Sequence, residues 1–456
     1  MDDEESLCGL AVAIISRQQA KIAGNRFYDW VRRFANPRGK YRFTGQNSSG
    51  AFIEASVKHC HIVLTEQDVD YYERFEPIFL REYQVKSIVI CCDGTGNEFA
   101  RNNTNVVKLH SMLAQDESQI AFYDTGVGTF SVSSAHTKLA ESVGKTIGLA
   151  LGTGFKQNVC DAYSFLVNNF EEGDRVYVFG FSRGAYTARV VGAMIRAFGI
   201  LRRSSVHLAS YALKLLEVQK EADFRMLNGF KRQFSTGVSP SFLFMGVWDT
   251  VASVSWAWER LKYGYTRTNP AVDVLRRAVS LDERRALFRP NLWGDEQEGQ
   301  DAQEVWFPGV HCDVGGGYDR NEAGLSNIAL EWMLVEARDN GLRLDDERVA
   351  RVLQEQSPPD YQAKAHASLT VFWWPLEFFI KERRINRFRR RDVYTRRAGM
   401  KVLLHESVIK RIRDSTVSYQ PPNLPEEYDV VPRVPYVPEE ERCVITGSGS
   451  SLDCNN

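Results

Sequence analysis

Residues 176–189 have the sequence VYVFGFSRGAYTAR, and this stretch decides the fold. Its apolar start is typical of a strand, and its second half is typical of a helix that opens with small residues. Between them lies a Gly-x-Ser-x-Gly pattern, from Gly180 to Gly184, with Ser182 at its centre. Such a serine sits on a sharp strand-to-helix turn, where glycines leave room for neighbouring backbone. This context favours a nucleophile elbow with Ser182 as the nucleophile over a glycine-rich turn of purely structural purpose.

Apolar runs alternate with helical patterns on both sides of the elbow. The runs at 86–92, 242–248 and 305–310 are continuous, as expected of strands that are buried on both faces of a parallel sheet. A helical pattern at 138–170 separates the first of these runs from the elbow. Strands that alternate with helices predict a doubly wound α/β sheet, mostly parallel and with helices on both faces. Because one of its strands leads into a nucleophile elbow, we expect an α/β-hydrolase fold.

Composition divides the chain into three regions. We predict an N-terminal accessory region at 1–82 and an α/β-hydrolase catalytic domain at 83–420. Residues 421–456 are rich in proline, glutamate and serine, and we expect this tail to be extended or disordered.

Charge and cysteine spacing exclude several classes of protein. The formal net charge of the 456 residues is -1, so we expect no nucleic-acid partner. The eight cysteines are scattered without a Cys-x-x-Cys pair, which favours free thiols over a zinc site. The start, MDDEE, is acidic where a secretory signal is basic, and no apolar stretch is long enough to span a bilayer. We expect a protein that is cytoplasmic or exported by a route without a secretory signal peptide.

Polar residues end three of the predicted strands in the order Ser182, Asp249, His311. The carboxyl ends of parallel strands meet at one edge of a sheet, and serine, acid, histidine is the chain order of the α/β-hydrolase triad. In such a triad the histidine takes the serine proton and the acid orients the imidazole. We therefore predict Ser182, Asp249 and His311 as the catalytic residues.

Each of the last two positions has rivals. His405 also lies downstream of the elbow, but its segment indicates the start of a helix and a structural role. The other histidines, His366 among them, have no comparable setting and are treated as ordinary. Asp273, in a helical context, and Asp313, two residues beyond His311, are the alternatives to Asp249.

The oxyanion formed at an attacked carbonyl needs backbone N–H donors. One comes from the residue after the nucleophile, here Arg183, and a second from a loop after an early strand. The turn DGTGN at 93–97 is the candidate for that loop, through Gly94 or Thr95. Its spacing fits neither phosphate-binding glycine pattern, which argues against a nucleotide.

Two further acids lie near these predicted site residues. Asp93 and Asp313 are candidates for residues that support the site from behind. No cluster of ligands accompanies them, so we expect no metal and no cofactor.

Five sequence blocks, at 92–97, 123–129, 180–189, 248–251 and 306–318, carry a family resemblance. Together they resemble the α/β-hydrolase domain of the type VI secretion phospholipase effectors of the first class, a family with uncharacterised bacterial and fungal members. The resemblance covers roughly residues 85–420. It implies a Ser-Asp-His triad at Ser182, Asp249 and His311, and release of fatty acid from phospholipid.

The expected substrate is therefore the acyl ester of a phospholipid, or another carboxylic ester. The alternatives are a small-ester or thioester hydrolase without interfacial action and a catalytically silent hydrolase-fold binding protein. Residues 371–391 combine an aromatic run with a basic cluster, which suits contact with an anionic membrane surface. The alternative for this segment is a set of core or cleft-capping aromatics beside a solvated basic face.

Overall fold

The computed structural model describes residues 40–46, 52–56, 58–63, 85–94, 103–126, 140–217, 221–251, 263–285, 288, 292–294, 297–369, 402–421 and 423–438. The chain separates into two compact units, Met1–Gln84 and Val85–Asn456.

The described part of the first unit is a three-stranded sheet. Its strands are β1 (Lys40–Gln46), β2 (Phe52–Ser56) and β3 (Lys58–Val63). Strand β1 lies in the centre, antiparallel to β2 and parallel to β3. These strands fall within the region 1–82 that we predict to be accessory to the catalytic domain, and that assignment stays a prediction.

The second unit is built on an eight-stranded sheet in which neighbouring strands are parallel. Its strand order is β11-β10-β9-β8-β7-β6-β4-β5. The strands are β4 (Ser87–Cys92), β5 (Gln119–Asp124), β6 (Arg175–Phe181), β7 (Phe242–Trp248), β8 (Val274–Ser280), β9 (Asp301–Phe307), β10 (Val402–His405) and β11 (Tyr428–Val431).

Helices cover both faces of this sheet. They are α1 (Asn105–Met112), α2 (Ala140–Asn169), α3 (Arg183–Phe198), α4 (Ala209–Glu217), α5 (Glu221–Phe234), α6 (His311–Gly315), α7 (Gly324–Asp339), α8 (Asp346–Ala350) and α9 (Glu406–Arg413). One apolar core lies between α2, α3 and one face of the central strands, and a second lies between α1, α7 and the other face. The predicted fold class, an α/β parallel sheet with helices on both faces, is confirmed.

The direction in which strands are added to the sheet reverses next to β4. Strand β5 joins one side of β4, and the chain then returns to place β6 on the other side. Cys92 at the end of β4 is accordingly paired with both Asp124 and Gly180. In open parallel sheets such a reversal leaves a crevice at the carboxyl ends of the strands, where sites form.

Strand β8 corrects one interpretation of the sequence. Asp273, which the sequence analysis places in a helical context, immediately precedes this strand. The strand contains Arg276 and Arg277, both almost completely buried. Glu336 pairs with Arg276 at 2.5 Å, and Glu304 pairs with Arg277. Because carboxylates from other elements neutralise these two charges, a strand forms at the sheet centre where the residue pattern alone does not indicate one.

Part of the predicted extended tail belongs to the sheet. Strand β11 pairs in parallel with β10, and Tyr436 is buried. The Arg433 guanidinium contacts the Glu331 carboxylate at 2.5 Å and 3.1 Å, which ties this segment to α7. These long-range contacts hold residues that a composition rich in proline and glutamate would leave extended; residues 439–456 lie outside the described part.

Candidate active site

Ser182 occupies a strained turn between β6 and α3. Its backbone angles are φ 59° and ψ -119°, a region that costs a non-glycine residue energy and is found at functional sites. A Cβ atom on Gly180 would lie 2.5 Å from the carbonyl oxygen of Gly184. A Cβ atom on Gly184 would lie 2.2 Å from the carbonyl oxygen of Cys92. Both glycines of the motif are therefore required by close backbone contacts, as the sequence pattern predicts.

Backbone hydrogen bonds join this turn to the end of β7. The Ser182 N–H donates to the Trp248 carbonyl at 3.1 Å, and the Val251 N–H donates back to the Ser182 carbonyl at 3.5 Å. Asp249 follows Trp248 directly and also has a positive φ, of 35°. Two predicted site residues, Ser182 and Asp249, thus lie on adjacent strand ends at the carboxyl edge of the sheet.

His311 and Asp249 form a buried hydrogen-bonded pair. The distance from His311 Nδ1 to Asp249 Oδ2 is 2.7 Å, and each residue is at most 3% exposed. An ionised carboxylate only accepts hydrogen bonds, so we assign the donor role to Nδ1. In the neutral tautomer with this arrangement, the lone pair lies on Nε2. Ser280, at the end of β8, holds the carboxylate from behind: its hydroxyl donates to Oδ2 at 2.9 Å and its N–H to Oδ1 at 3.2 Å. No local pattern indicates Ser280, because the residues of β8 do not predict a strand.

Aromatic rings enclose the His311 imidazole. The ring of Phe181 lies 4.6 Å from it, centre to centre, and the ring of Phe288 meets it edge-on at 4.8 Å. The guanidinium carbon of Arg285 lies 3.5 Å from the centre of the Phe288 ring, and the Arg285 side chain is bound to the buried carboxylate of Glu283. The same carboxylate accepts the backbone N–H of His311 at 3.3 Å. These contacts restrict the imidazole to one orientation, and no local sequence pattern indicates them.

The rival histidine, His405, caps a helix. It ends β10, its Nδ1 accepts the Ser407 N–H at 3.3 Å, and its ring stacks on Phe307 at 4.7 Å. Burial lowers the pKa of His405 to about 3, so the ring is neutral over the whole physiological range. These are the contacts of a structural residue.

The rival acids are also placed away from the His311 imidazole. Asp273 accepts the Leu243 N–H at 2.7 Å, at the amino end of β7 and hence at the opposite edge of the sheet from Asp249. Asp313 turns its carboxylate to the backbone N–H of Val310 at 3.0 Å. Asp249 is therefore the acid that the structure brings to His311.

Asp313 anchors the loop that carries His311 through a second histidine. Its Oδ1 lies 2.6 Å from Nδ1 of His366, whose Nε2 lies 3.0 Å from Glu322 Oε2. The ring of Tyr318 stacks on the His366 ring at 3.6 Å. His366 has an ordinary setting in the sequence, and only the fold brings it to Asp313, a residue 53 positions earlier.

Asp93 organises the turn after β4. This buried carboxylate accepts the Gly94 N–H at 2.6 Å, the Thr104 hydroxyl at 2.7 Å and the Tyr123 hydroxyl at 2.8 Å. It therefore holds together the edge of the sheet beside the elbow, and its role behind the site stays a prediction.

The predicted oxyanion donors differ in what they already bind. Arg183 is the first residue of α3, and the first N–H groups of a helix have no acceptor within the helix. The Gly94 N–H is engaged by the side chain of Asp93 at 2.6 Å. Thr95, the other candidate, lies outside the described residues, and the second oxyanion donor stays a prediction.

Cys312 follows His311 directly but is not a competing nucleophile. Burial raises the pKa of its thiol to about 12, so the reactive thiolate is scarce at neutral pH.

Among the residues that the structure describes, no group of three or more His, Cys, Asp or Glu side chains is placed to bind a metal ion. Nor does that part of the chain contain a helix long and apolar enough to cross a bilayer. Residues 371–391, the suggested membrane contact, lie outside it.

Known proteins resemble this chain over part of their lengths. An uncharacterised protein of Saccharomyces cerevisiae is 32% identical over 219 residues, which are 45% of this chain and 32% of the yeast protein. A crystal structure of an uncharacterised protein from Pseudomonas aeruginosa is 20% identical with a TM-score of 0.34, covering 63% of this chain and 51% of that one. A structure of the Tle1 effector bound to the VgrG spike of the type VI secretion system is 18% identical with a TM-score of 0.31, covering 53% of this chain and 52% of that one. The chain thus spans about a third of the yeast relative's length and about half of each solved chain.

A family model matches residues 86–336, more than half of the chain. Its description is the catalytic domain of the Tle1-like phospholipase effectors of the type VI secretion system. The matched range contains the elbow, the Asp249–His311 pair and every residue found to support them except His366. The chain therefore belongs to the Tle1-like phospholipase effector family, through its catalytic domain.

Proposed function

We propose that the chain is a serine hydrolase that cleaves the acyl esters of phospholipids, with Ser182 as nucleophile, His311 as base and Asp249 as the orienting acid. The observation that carries the proposal is the buried 2.7 Å contact between His311 Nδ1 and Asp249 Oδ2, beside a serine on a strained elbow. Membership of a phospholipase effector family supports the lipid substrate.

In the first half of the reaction, the Ser182 hydroxyl attacks the ester carbonyl carbon while Nε2 of His311 takes its proton. The imidazolium that forms is stabilised by the Asp249 carboxylate, which Ser280 holds in place. The Arg183 N–H, at the positive end of α3, donates to the developing oxyanion. A second N–H is expected from the turn after Asp93, and Thr95 is the better candidate because Gly94 is already engaged.

In the second half, the tetrahedral intermediate collapses and the ester oxygen leaves with the proton held by His311. This releases a lysophospholipid and leaves the fatty acyl group on Ser182. Water then attacks the acyl-enzyme, again with His311 as base, and releases the fatty acid. The enclosure of the imidazole by Phe181 and Phe288 keeps it in one orientation through both halves.

The test is fatty-acid release from phospholipid vesicles by the wild type and by Ser182→Ala and His311→Ala. Both variants should lose at least about 10³-fold in kcat, because removing one member disables the whole triad. The matched controls are Ser239→Ala and His207→Ala, which remove the same side chains from exposed positions and should keep near-wild-type turnover.

Labelling of Ser182 by a fluorophosphonate separates the parts of the proposal. One outcome is a label on Ser182 in a protein that hydrolyses a short soluble ester but releases no fatty acid from vesicles. That result would contradict the phospholipid substrate and support the serine hydrolase mechanism. An unlabelled protein that hydrolyses neither substrate would contradict the hydrolase itself and favour the binding-protein alternative.

A further inference from the structure

A cavity of about 320 Å³ lies beside α1, apart from the groups assigned to the proposed reaction. Its wall combines α1, the loop after α6, the start of α7, and α8 with the π-helix that follows it (Arg351–Gln356). Its lining includes Lys108, Tyr318, Arg320, Asn327, Arg348 and Arg351.

The lining is strongly cationic. The described residues around the cavity include one lysine and three arginines, and none of them is acidic. Arg348 is bound at 2.9 Å to Asp345, a residue outside the lining, whereas the Lys108 ammonium donates to a neutral group, the Asn327 side-chain oxygen, at 2.7 Å. Burial and, to a smaller extent, the charge of Arg320 lower the pKa of Lys108 to about 8. Lys108 is half-buried, whereas Arg320, Arg348 and Arg351 are exposed. Like charges gathered around one cavity repel one another, and a bound anion offsets that repulsion.

The cavity shares its loops with the candidate active site. Thr104, next to the lining residue Asn103, donates to Asp93 at 2.7 Å and forms a β-bridge with Gly316. Tyr318, which lines the cavity, stacks on His366, the residue that anchors Asp313 in the His311 loop. The end of the cavity formed by Asn103 and Tyr318 therefore contacts the loops of the candidate active site, while Ser111 and Arg348 line it near the end of α1.

We propose that this cavity binds the phosphate of a phospholipid head group while an acyl ester of the same molecule reaches Ser182. The inference rests on the proposed function. Arginine guanidinium groups bind phosphate oxygens in paired hydrogen bonds, and the lysine adds a point charge. The volume is in the range of small-ligand sites, and Asn327 and Tyr318 supply further polar contacts.

The binding test uses sn-glycerol 3-phosphate and inorganic phosphate, titrated by calorimetry into the wild type and into Arg320→Gln/Arg351→Gln. Both arginines are exposed, so the variant should fold. Its matched control is Arg225→Gln/Arg413→Gln, which removes the same two charges from exposed positions on α5 and α9. We expect the wild type and the control to bind glycerol phosphate, and the cavity variant to bind it about tenfold more weakly or worse.

The catalytic test compares two soluble esters, dihexanoyl phosphatidylcholine below its micelle concentration and p-nitrophenyl butyrate. The cavity variant should raise KM for the phospholipid about tenfold and change kcat/KM for the nitrophenyl ester less than about twofold, because only the first substrate carries a phosphate. The charge-matched control should change neither.

Three results would overturn the inference: no binding of either phosphate compound, equal losses on both esters, or binding of inorganic phosphate with no binding of glycerol phosphate. The last would mean a site for free phosphate. Glycerol phosphate binding that needs Arg320 and Arg351, in a protein that hydrolyses no phospholipid, would contradict the proposed function and leave the phosphate site standing.

Discussion

At the scale of single residues, the candidate site depends on positions where a side chain is absent or where the backbone is strained. Gly180 and Gly184 let α3 approach the end of β4 closely enough to place Ser182 above the sheet. Ser182 and Asp249 both have positive φ values, which non-glycine residues rarely adopt. Such strain persists only where the surrounding contacts outweigh it, and the backbone hydrogen bonds between the two strand ends supply those contacts.

Gly184→Ala should therefore be strongly destabilising. Its Cβ would lie 2.2 Å from the Cys92 carbonyl oxygen and 2.4 Å from that of Asp93, and backbone atoms in the sheet cannot move aside cheaply. We expect a loss of about 2–4 kcal/mol in the free energy of unfolding, measured by urea denaturation, with loss of fluorophosphonate labelling.

The matched control is Gly229→Ala in α5, where nothing lies within 4 Å of the added methyl group. It should gain about 0.5–1 kcal/mol, because alanine is the better helix former. Equal effects of the two substitutions would show that the close approach at Gly184 does not constrain the fold.

At the scale of elements, the junctions between strands and helices carry the functional side chains, and their neighbours determine what each side chain does. His311 begins α6 and His405 immediately precedes α9, yet one faces a carboxylate and the other a hydroxyl and a backbone N–H. The difference is visible in their surroundings: Asp249 at one junction, and Phe307 with Ser407 at the other. A histidine at a strand end is therefore a candidate base only when the neighbouring strand supplies an acid.

The buried His405 predicts a defined pH dependence of stability. Its pKa is lowered from 6.5 in the unfolded chain to about 3 in the folded chain, so the unfolded state binds a proton that the folded state excludes. Stability from this group is full above about pH 6.5 and falls as the pH drops towards 3. Between pH 8 and pH 5 the loss is about 2 kcal/mol.

The substitution His405→Asn isolates the contribution of His405 to the pH dependence of stability, because asparagine also caps helices and does not titrate. The difference in unfolding free energy between variant and wild type should move by about 2 kcal/mol in favour of the variant as the pH falls from 8 to 5. Asp124 and Asp282, whose pKa values burial raises to about 6, act in the opposite direction, but equally in both proteins, and cancel. Ester hydrolysis should be unchanged. A pH-independent difference would contradict the burial of a neutral His405.

At the scale of the whole second unit, charges buried between elements decide which segments join the sheet. Arg276 and Arg277 enter the central strand β8 because Glu336 and Glu304 reach them from other elements. At the edge, Arg433 and Glu331 connect the segment after β11 to α7. Removing one partner of such a pair leaves the other charge without compensation, which costs more than the pair itself contributes.

Arg433→Met should therefore reduce the free energy of unfolding by about 2–4 kcal/mol, because the Glu331 carboxylate is only 6% exposed. The double variant with Glu331→Gln should recover part of that loss, since no charge is then left unpaired. Urea denaturation of the four proteins of this cycle gives the coupling energy. The comparison variant Arg413→Met, at an exposed position of α9, should stay within about 0.5 kcal/mol. A similarly small effect at Arg433 would show that the segment is not held by this pair.

Much of the architecture follows from local pattern. The strands β4, β6, β7 and β9 were predicted from continuous apolar runs, and the structure confirms them together with the α/β class. Ser182, Asp249 and His311 each follow a predicted strand, and this was enough to place all three at one sheet edge, because parallel strands have their carboxyl ends on the same side. Their catalytic roles stay predictions.

The elbow can be recognised from local sequence, because Gly180, Ser182 and Gly184 meet their constraints within a few residues of one another. The fold class follows in the same way, because hydrophobic periodicity is a local property. Which acid faces His311 depends on the folded chain, and so do the support of that pair by Ser280 and Glu283, the contact of His366 with Asp313, and the gathering of Lys108 and the cavity arginines around one space. These contacts join residues tens to hundreds of positions apart. Their partners are selected by burial and charge compensation across the assembled sheet, which no short stretch of sequence contains.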